Sequence, residues 1–340
     1  MNKLDKKMWG FAEVWNAGLS EMFQRPMKQR DNLWASELGK APVDLWLKMR
    51  AVEPTNPPNP RSMRKFEAGN VFEWIVSLIL KRAGILQESQ KWSSYQYPDL
   101  LEVTGKADFI AGGKPDIEKF KTEMEQMNFP DVFLRNGEKM IKYFLENYPD
   151  GLTEMPLEIK SVSAFMFEAL EKNKSASKIH RLQTFHYLKS TNKPIATIVY
   201  ICRDDLRMME FLVENPSDTE KEYKEFIETI TKYHKNEERP PLEKAIEFSE
   251  DIGKFSKNFN VAYSGYLTML YGFKDQAEFD AKYTPIVARW NRVIARIKNG
   301  DKMTDKNNEV IKEIEQAGYN LKDLIIKFVS NGDEKTNEIQ

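Results

Sequence analysis

The chain has 340 residues, with 51 Lys plus Arg against 52 Asp plus Glu and a formal net charge of −1. That length can bury a substantial core, as one large domain or as a core plus an appendage. The balanced charge means that contact with nucleic acid must rest on local basic patches rather than a global field. One cysteine, Cys202, excludes an intrachain disulfide, a Cys-ligated zinc site and a four-cysteine iron–sulfur cluster. The three histidines, His180, His186 and His234, are too few and too scattered for a His-rich zinc site. A metal in this chain would be held by carboxylates. No apolar run approaches the roughly 20 residues that cross a bilayer, and the Lys-rich start lacks an apolar export core. The expected location is the cytoplasm, with no membrane partner.

Residues 1–29 place Trp9, Phe11, Val14, Trp15, Leu19, Met22 and Phe23 at helical spacing, which predicts an amphipathic helix. Ser36 and Glu37, ahead of Leu38, Val43, Leu45, Trp46 and Leu47, predict an N-cap and a short helix. Pro54, Pro57, Pro58 and Pro60 mark a stiff loop. A helix over 62–83 follows, with Phe66, Phe72, Ile75, Val76, Ile79 and Leu80 on its apolar face and Glu73 at the edge of that face. Strands lie within 85–111. Charged, helix-patterned sequence fills 117–127 and 137–147. A second strand precedes a helix from Ser163, packed through Phe165, Phe167 and Leu170, and another helix runs from Ser177 to about Ser190. The β-branched run Pro194–Ile201 predicts a buried strand, paired as a hairpin with Met208–Glu214. Ser217 and Glu220 form a capping-box pattern opening a helix that ends near Lys235. Beyond Pro240 and Pro241 the chain reads as helices over 260–272, 276–298, 305–317 and 320–330, stopped by Gly272, Gly300 and Gly318, with 331–340 as a frayed tail. On these, Tyr263, Tyr266 and Tyr271 cluster, and Arg289, Arg292 and Arg296 share a face, a pairing suited to DNA but also to an ordinary solvated stripe over core tyrosines.

Two stretches carry charge where strands seldom tolerate it. Val103–Ile110 is mostly apolar but contains Asp108, with Gly105 leaving room for another backbone or a ligand. In Leu157–Ser161, Leu157 and Ile159 share one face while Glu158 and Lys160 share the other. Two carboxylates and a lysine on adjacent strands suit a metal-dependent phosphodiesterase. The acids hold a hard cation through oxygen, and the lysine orients water or neutralises phosphate. The E-x-K tripeptide alone is weak, since Glu222–Tyr223–Lys224 matches it on a helix. Context strengthens it: Gln183 and Tyr187 stand at i, i+4 on a downstream helix and project from one face.

Taken in order, Glu73, Asp108, Glu158–Ile159–Lys160 and Gln183…Tyr187 resemble the PD-(D/E)XK nuclease superfamily, in its RecB-like, lambda-exonuclease-like branch. The stretch Ala35–Gly39 with Arg61–Gly69 resembles the lead-in of such domains, and the likeness covers about residues 33–214. It implies an α/β fold, a mixed central β-sheet flanked by helices, with a helical C-terminal extension. The expected division is a helical segment over 1–32, a nuclease core over 33–215 with an inserted helical segment at 112–154, and a helical extension over 216–340. The resemblance implies that Asp108, Glu158 and the carbonyl of Ile159 coordinate Mg²⁺ or Mn²⁺, one ion or two. Glu73 would complete the coordination or bind a second ion. Lys160 would position the attacking water, and Gln183 and Tyr187 would steady the site and the DNA backbone.

Many relatives carry histidine where Glu73 stands, the iron–sulfur cysteines of some members are absent, and the 112–154 insertion is longer than the usual hairpin. The implied function is a DNA nuclease, an end-processing exonuclease in recombination, repair or phage DNA metabolism, acting on linear duplex or single strands beside a recombination or replication partner. The alternative is a nuclease-like domain retained as a DNA- or protein-binding module in a larger assembly.

Overall fold

The computed structural model describes residues 15–19, 26–115, 117–126, 131–214, 217–249 and 253–321. Of the helix expected over 1–29, only 15–19 lies among the described helical residues. The helix expected over 320–330 falls outside them except at its start. No described helix is long and apolar enough to cross a membrane.

The chain forms two compact units, residues 1–52 with 58–239, and residues 53–57 with 240–340. The first holds a six-stranded mixed sheet between helices, so the expected α/β class is observed. Its strands are β1 (Asn32–Trp34), β2 (Leu86–Tyr95), β3 (Glu102–Gly113), β4 (Leu152–Val162), β5 (Ala196–Cys202) and β6 (Met208–Val213). Its helices are α1 (Pro42–Met49), α2 (Pro60–Arg82), α3 (Ile117–Gln126), α4 (Asp131–Asn147), α5 (Ala164–Asn173), α6 (Lys178–Ser190) and α7 (Ser217–Lys235). β3 is the hub. One edge pairs with β2, antiparallel; the other is shared by β1, parallel at Asn32↔Glu102, and β4, antiparallel from Phe109↔Leu157 onward. β4 and β5 run parallel, and β5 and β6 form the expected hairpin.

Burial separates the two faces of this sheet. One core joins Leu45 and Met49 of α1, Leu182, Phe185 and Leu188 of α6, and Tyr223, Ile227 and Ile230 of α7 to Val103, Ala107 and Ile198 of the strands. The other joins Val76 and Leu80 of α2 and Phe144 of α4 to Phe109, Ile159 and Ile201. Helix α7, grouped from sequence with the extension, therefore packs in this unit.

Several local expectations are corrected. Residues Ala35–Glu37 form a single 3-10 turn, and α1 starts later, at Pro42, whose missing N–H costs nothing at a helix start. On α2, Phe66 is 50% exposed and Ile75 38%, so the sheet side of the helix covers only part of its apolar arc. Ser163 caps α5 as expected, yet Phe165 is 84% exposed.

The second unit is less purely helical than the sequence suggests. A hairpin, β7 (Ile246–Ser249) with β8 (Lys254–Lys257), precedes α8 (Phe259–Ala262), α9 (Leu267–Tyr271), α10 (Gln276–Lys298) and α11 (Asp305–Gln316). Phe255 packs edge-on against Trp290 and Tyr319, with ring centroids 4.9 Å and 5.1 Å away. Gly272 closes α9 at φ 74°, a left-handed stop that glycine alone adopts freely. The Pro-rich loop belongs here because Asn56 is tied in three ways. It donates its backbone N–H to the Gly265 carbonyl and its amide to the Lys274 carbonyl, and accepts the Thr268 N–H. Tyr266 is buried and Tyr263 is 60% exposed, so the expected tyrosine cluster is split. Arg289 is paired with Glu313.

Candidate active site

The site forms where β3 and β4 part. Their ladder stops at Phe109↔Leu157, and the next residue on β3 supplies a side chain in place of a backbone acceptor: Asp108 Oδ2 accepts the Ile159 N–H at 2.8 Å. Strand β3 is irregular at the same point. Regular alternation would put Ala107 and Phe109 on one face, yet they pack in different cores. Opposite Asp108 stands Gln90 at φ 52°, with the β2 register continuous from Ser89↔Phe109 to Lys91↔Ala107. Asp108 thus occupies a break in the pleat and is only 8% exposed.

Glu158 and Lys160 face α6, as the alternation of β4 predicts, while Ile159 points into the opposite core. Glu158 is 2% exposed, and its Oε1 is ion-paired with Lys160 and accepts Gln183 Nε2 at 2.7 Å. Its Oε2 is buried with no hydrogen-bond partner among the described residues. Gln183 also donates to the Tyr187 hydroxyl at 3.1 Å, so the i, i+4 pair of α6 acts as one bracket. Gly105 admits that bracket: a Cβ there would lie 2.7 Å from Ala35 Cβ and 3.0 Å from Tyr187 Cε1. Glu73 reaches the group from α2. Helix α2 packs against β4 here: one turn before Glu73, Gly69 lies beside Ser161, with room for a Cβ in ordinary contact at 3.8 Å from Ser161 Oγ.

Electrostatically the group is unbalanced. Burial, then Asp108, raises Glu73 to about 7 against the pull of Lys160. Burial raises Glu158 to about 8, with Lys160 opposing and Asp108 and Glu73 adding. Burial also raises Asp108, although Lys160 and the Ile159 amide oppose it. For Lys160, burial lowers the pKa, but Glu158, Asp108 and Glu73 prevail and raise it. Burial and the nearby Glu158 carboxylate raise Tyr187, so its hydroxyl keeps its proton. Three acids share one lysine, an excess of carboxyl groups that burial pushes toward the neutral form and that folding alone does not require.

The structure therefore brings Glu73, Asp108, Glu158, Lys160, Gln183 and Tyr187 into one neighbourhood. Among the described residues no three acid, histidine or cysteine side chains already stand at metal-holding separations. The donor set still suits a hard cation: carboxyl oxygens of three acids, one of them buried and unsatisfied, around a single lysine. Seating an ion would involve turning Glu73 inward or moving Lys160 off Glu158.

Two neighbours were not singled out from sequence. Burial, with Lys48 adding, lowers Lys40 to about 8, and Lys160 contributes to that shift. His180 bonds the Tyr200 hydroxyl at 2.8 Å and is lowered to about 3 by burial and by Lys160 and Lys40. Neither sits in a readable motif. Lys40 follows a glycine in a turn, and His180 occupies the first turn of α6.

No protein-family model and no curated protein sequence matches the chain. Among solved structures it is similar to that described as SSO0001, at TM-score 0.37 and 14% identity over 68% of this chain and 89% of the other. It is similar to LHK-Exo in complex with dAMP, at TM-score 0.37 and 12% identity over 66% and 93%. The alkaline exonuclease LHK-Exo from Laribacter hongkongensis gives TM-score 0.35 and 12% identity over 66% and 97%. At this level the likeness decides nothing about chemistry, which rests on the side chains of the site.

Proposed function

We propose that this chain is a Mg²⁺- or Mn²⁺-dependent DNA nuclease of the PD-(D/E)XK type, and specifically an end-processing exonuclease. The observation that supports it is the buried excess of carboxylate around Lys160, with Glu158 Oε2 left unsatisfied. Asp108, Glu158, the Ile159 carbonyl and Glu73 would hold the cation. When bound, it supplies charge neutralisation at the phosphate and a water acidic enough to attack near neutral pH.

The remaining work falls to the chain. The Ile159 N–H fixes one oxygen of Asp108, leaving the other for ligation. Gln183 holds Glu158 in its rotamer whether or not Lys160 stays paired with it. Lys160, kept protonated by the acids around it, moves from neutralising Glu158 to contacting the scissile phosphate or the attacking water. Tyr187, held as a neutral hydroxyl, is a donor toward the DNA backbone.

Purified protein incubated with end-labelled linear duplex, linear single strands and covalently closed circles tests this, with Mn²⁺ or with chelator. The expected result is loss of linear DNA only with Mn²⁺, abolished in Glu158→Ala and Lys160→Ala, with circles spared. Tight DNA binding without cleavage would replace the enzyme by a binding module. Equal attack on circles would keep the nuclease and remove the exonuclease.

A further inference from the structure

Beside the acids the first unit exposes an aromatic pair with cations, and nothing in the reading above uses it. Trp34 of β1 and Trp92 of β2 are 41% and 50% exposed, although a tryptophan ordinarily buries most of its surface. The two rings pack edge to face, centroids 5.8 Å apart at 88°, so each is held in place while remaining open to solvent. A cation accompanies each ring. Arg30 Cζ lies 5.9 Å from the Trp34 ring and Lys106 Nζ lies 5.9 Å from the Trp92 ring. Arg30 is pinned by Glu37 and by the Asn32 carbonyl. Lys106 is exposed and forms no ion pair among the described residues.

These residues are set by the sheet register. Lys106 is the cross-strand partner of Trp92, and Trp34 pairs with Thr104, two residues back along β3. Asp108 lies two residues forward. At about 3.3 Å per residue the Lys106 and Asp108 positions are roughly 7 Å apart along the strand. The aromatic patch and the acid cluster thus share strand β3, with Ala107 alone between Lys106 and Asp108.

We propose that Trp34, Trp92, Lys106 and Arg30 form a platform for single-stranded DNA, on which unpaired bases stack as the strand enters or leaves the acid cluster. The proposal rests on the nuclease reading of that cluster. Unpaired bases are favoured over duplex because a duplex hides its base faces within its own stack. Nucleic acid is favoured over a protein partner because the lysine beside the indole lacks a carboxylate, and phosphate supplies the missing charge. With a net charge of −1 overall, binding has to be local, and this patch shares β3 with the site.

Anisotropy of a labelled oligo(dT) in chelator tests this, alongside an abasic oligomer of equal length that keeps the phosphates and lacks the bases. Unmodified protein should bind oligo(dT) about 10-fold or more tighter than the abasic strand, as alanine substitution of stacking residues leads one to expect. The preference should collapse in Trp92→Ala and in Trp34→Ala with Trp92→Ala. Trp92→Phe should retain most of it, and Lys106→Ala should flatten the salt dependence. Equal binding of the two oligomers by unmodified protein, or an unchanged preference in the double variant, overturns the platform. A surface that docks a protein instead gives that same null result. The same preparations assayed for Mn²⁺-dependent cleavage separate the two readings. Cleavage without base preference leaves the nuclease and removes the platform. Base-dependent binding without cleavage does the reverse.

Discussion

Helix α6 carries two buried polar clusters less than one turn apart, and they are opposite in kind. Toward β4, Gln183 and Tyr187 stand over three acids that share one lysine. On the side facing α7, His186 bonds the Tyr223 hydroxyl through Nδ1 at 2.9 Å, with the two rings stacked at 28°. Burial lowers His186 to about 4 and raises Tyr223, so that pair is neutral at physiological pH. A neutral pair joined by its own hydrogen bond is a structural solution to burial, even with His186 Nε2, like Glu158 Oε2, lacking a hydrogen-bond partner among the described residues, because no charge is buried with it. A buried surplus of acids is a poor structural solution, because keeping each unmatched carboxylate ionised there costs several kcal/mol as an order of magnitude. Its presence marks a place built for something not made of protein. Substitutions in the two clusters should therefore diverge: the first governs activity and the second governs stability.

The largest effect is expected at the acids. Glu158→Gln keeps the shape and the acceptor for Gln183 but removes a ligand charge, and metal-dependent cleavage should fall by about 10²–10³-fold or more. The melting temperature at pH 8 should not fall, because one of the mutually repelling carboxylates has gone. A variant that lost its fold along with its activity would put Glu158 with the structural cluster and erase the contrast. Next comes the bracket. Gln183→Ala leaves every ligand in place and frees Glu158 to rotate. The expected loss is about 10–100-fold, the range for removing a residue that orients a metal ligand, recovered in part by raising Mn²⁺. A loss that Mn²⁺ does not relieve would show that Gln183 acts on something other than metal binding.

These residues were legible in sequence for one reason: charge inside a strand is rare enough to be noticed, and spacing assigns it a face. Asp108, Glu158 and Lys160 lie in strands as predicted, and Gln183 and Tyr187 share a helical face. What alternation could not show is the break at Asp108, where Ala107 and Phe109 turn to different cores opposite Gln90 at φ 52°, since the apolar pattern of β3 carries no mark of it. The exposure of Phe66 and Phe165 was also out of reach. A hydrophobic arc states which face of a helix can be covered, and the tertiary neighbours decide how much of it is. The β7–β8 hairpin was missed because strands of four residues are too short for period-2 patterning to stand out beside flanking helices.

A smaller effect tests the packing that seats the bracket. Gly105→Ala puts a methyl 2.7 Å from Ala35 Cβ and 3.0 Å from Tyr187 Cε1, closer than atoms settle without moving. Overpacking of this kind costs about 1–3 kcal/mol, seen as a lower denaturation midpoint at unchanged slope. Because the obstructed ring belongs to the active-site bracket, cleavage should fall alongside stability. Loss of stability with full activity would separate Tyr187 from the chemistry.

The smallest effect belongs to the neutral cluster, and its sign follows from linkage. His186 titrates at about 4 in the fold and near 6.5 when unfolded. Between those values the unfolded chain binds the additional proton, so this group favours the unfolded state increasingly as pH falls from about 6.5 to 4. Above 6.5 it contributes no pH dependence. One proton limits the slope to about 1.4 kcal/mol per pH unit. His186→Phe removes the titration, so its stability should vary less than that of the unmodified chain across the window. At pH 8, where the imidazole is neutral in both states, the variant instead reports the cost of leaving the Tyr223 hydroxyl without its partner, about 1–3 kcal/mol. Urea midpoints at pH 8, 6 and 5 measure both. Unmodified protein and His186→Phe should converge as the solution is acidified, with Mn²⁺-dependent cleavage at pH 8 unchanged in the variant. Parallel midpoints across the series would mean that the imidazole takes up its proton in the fold as readily as in the unfolded chain, and the neutral character of this cluster would be lost.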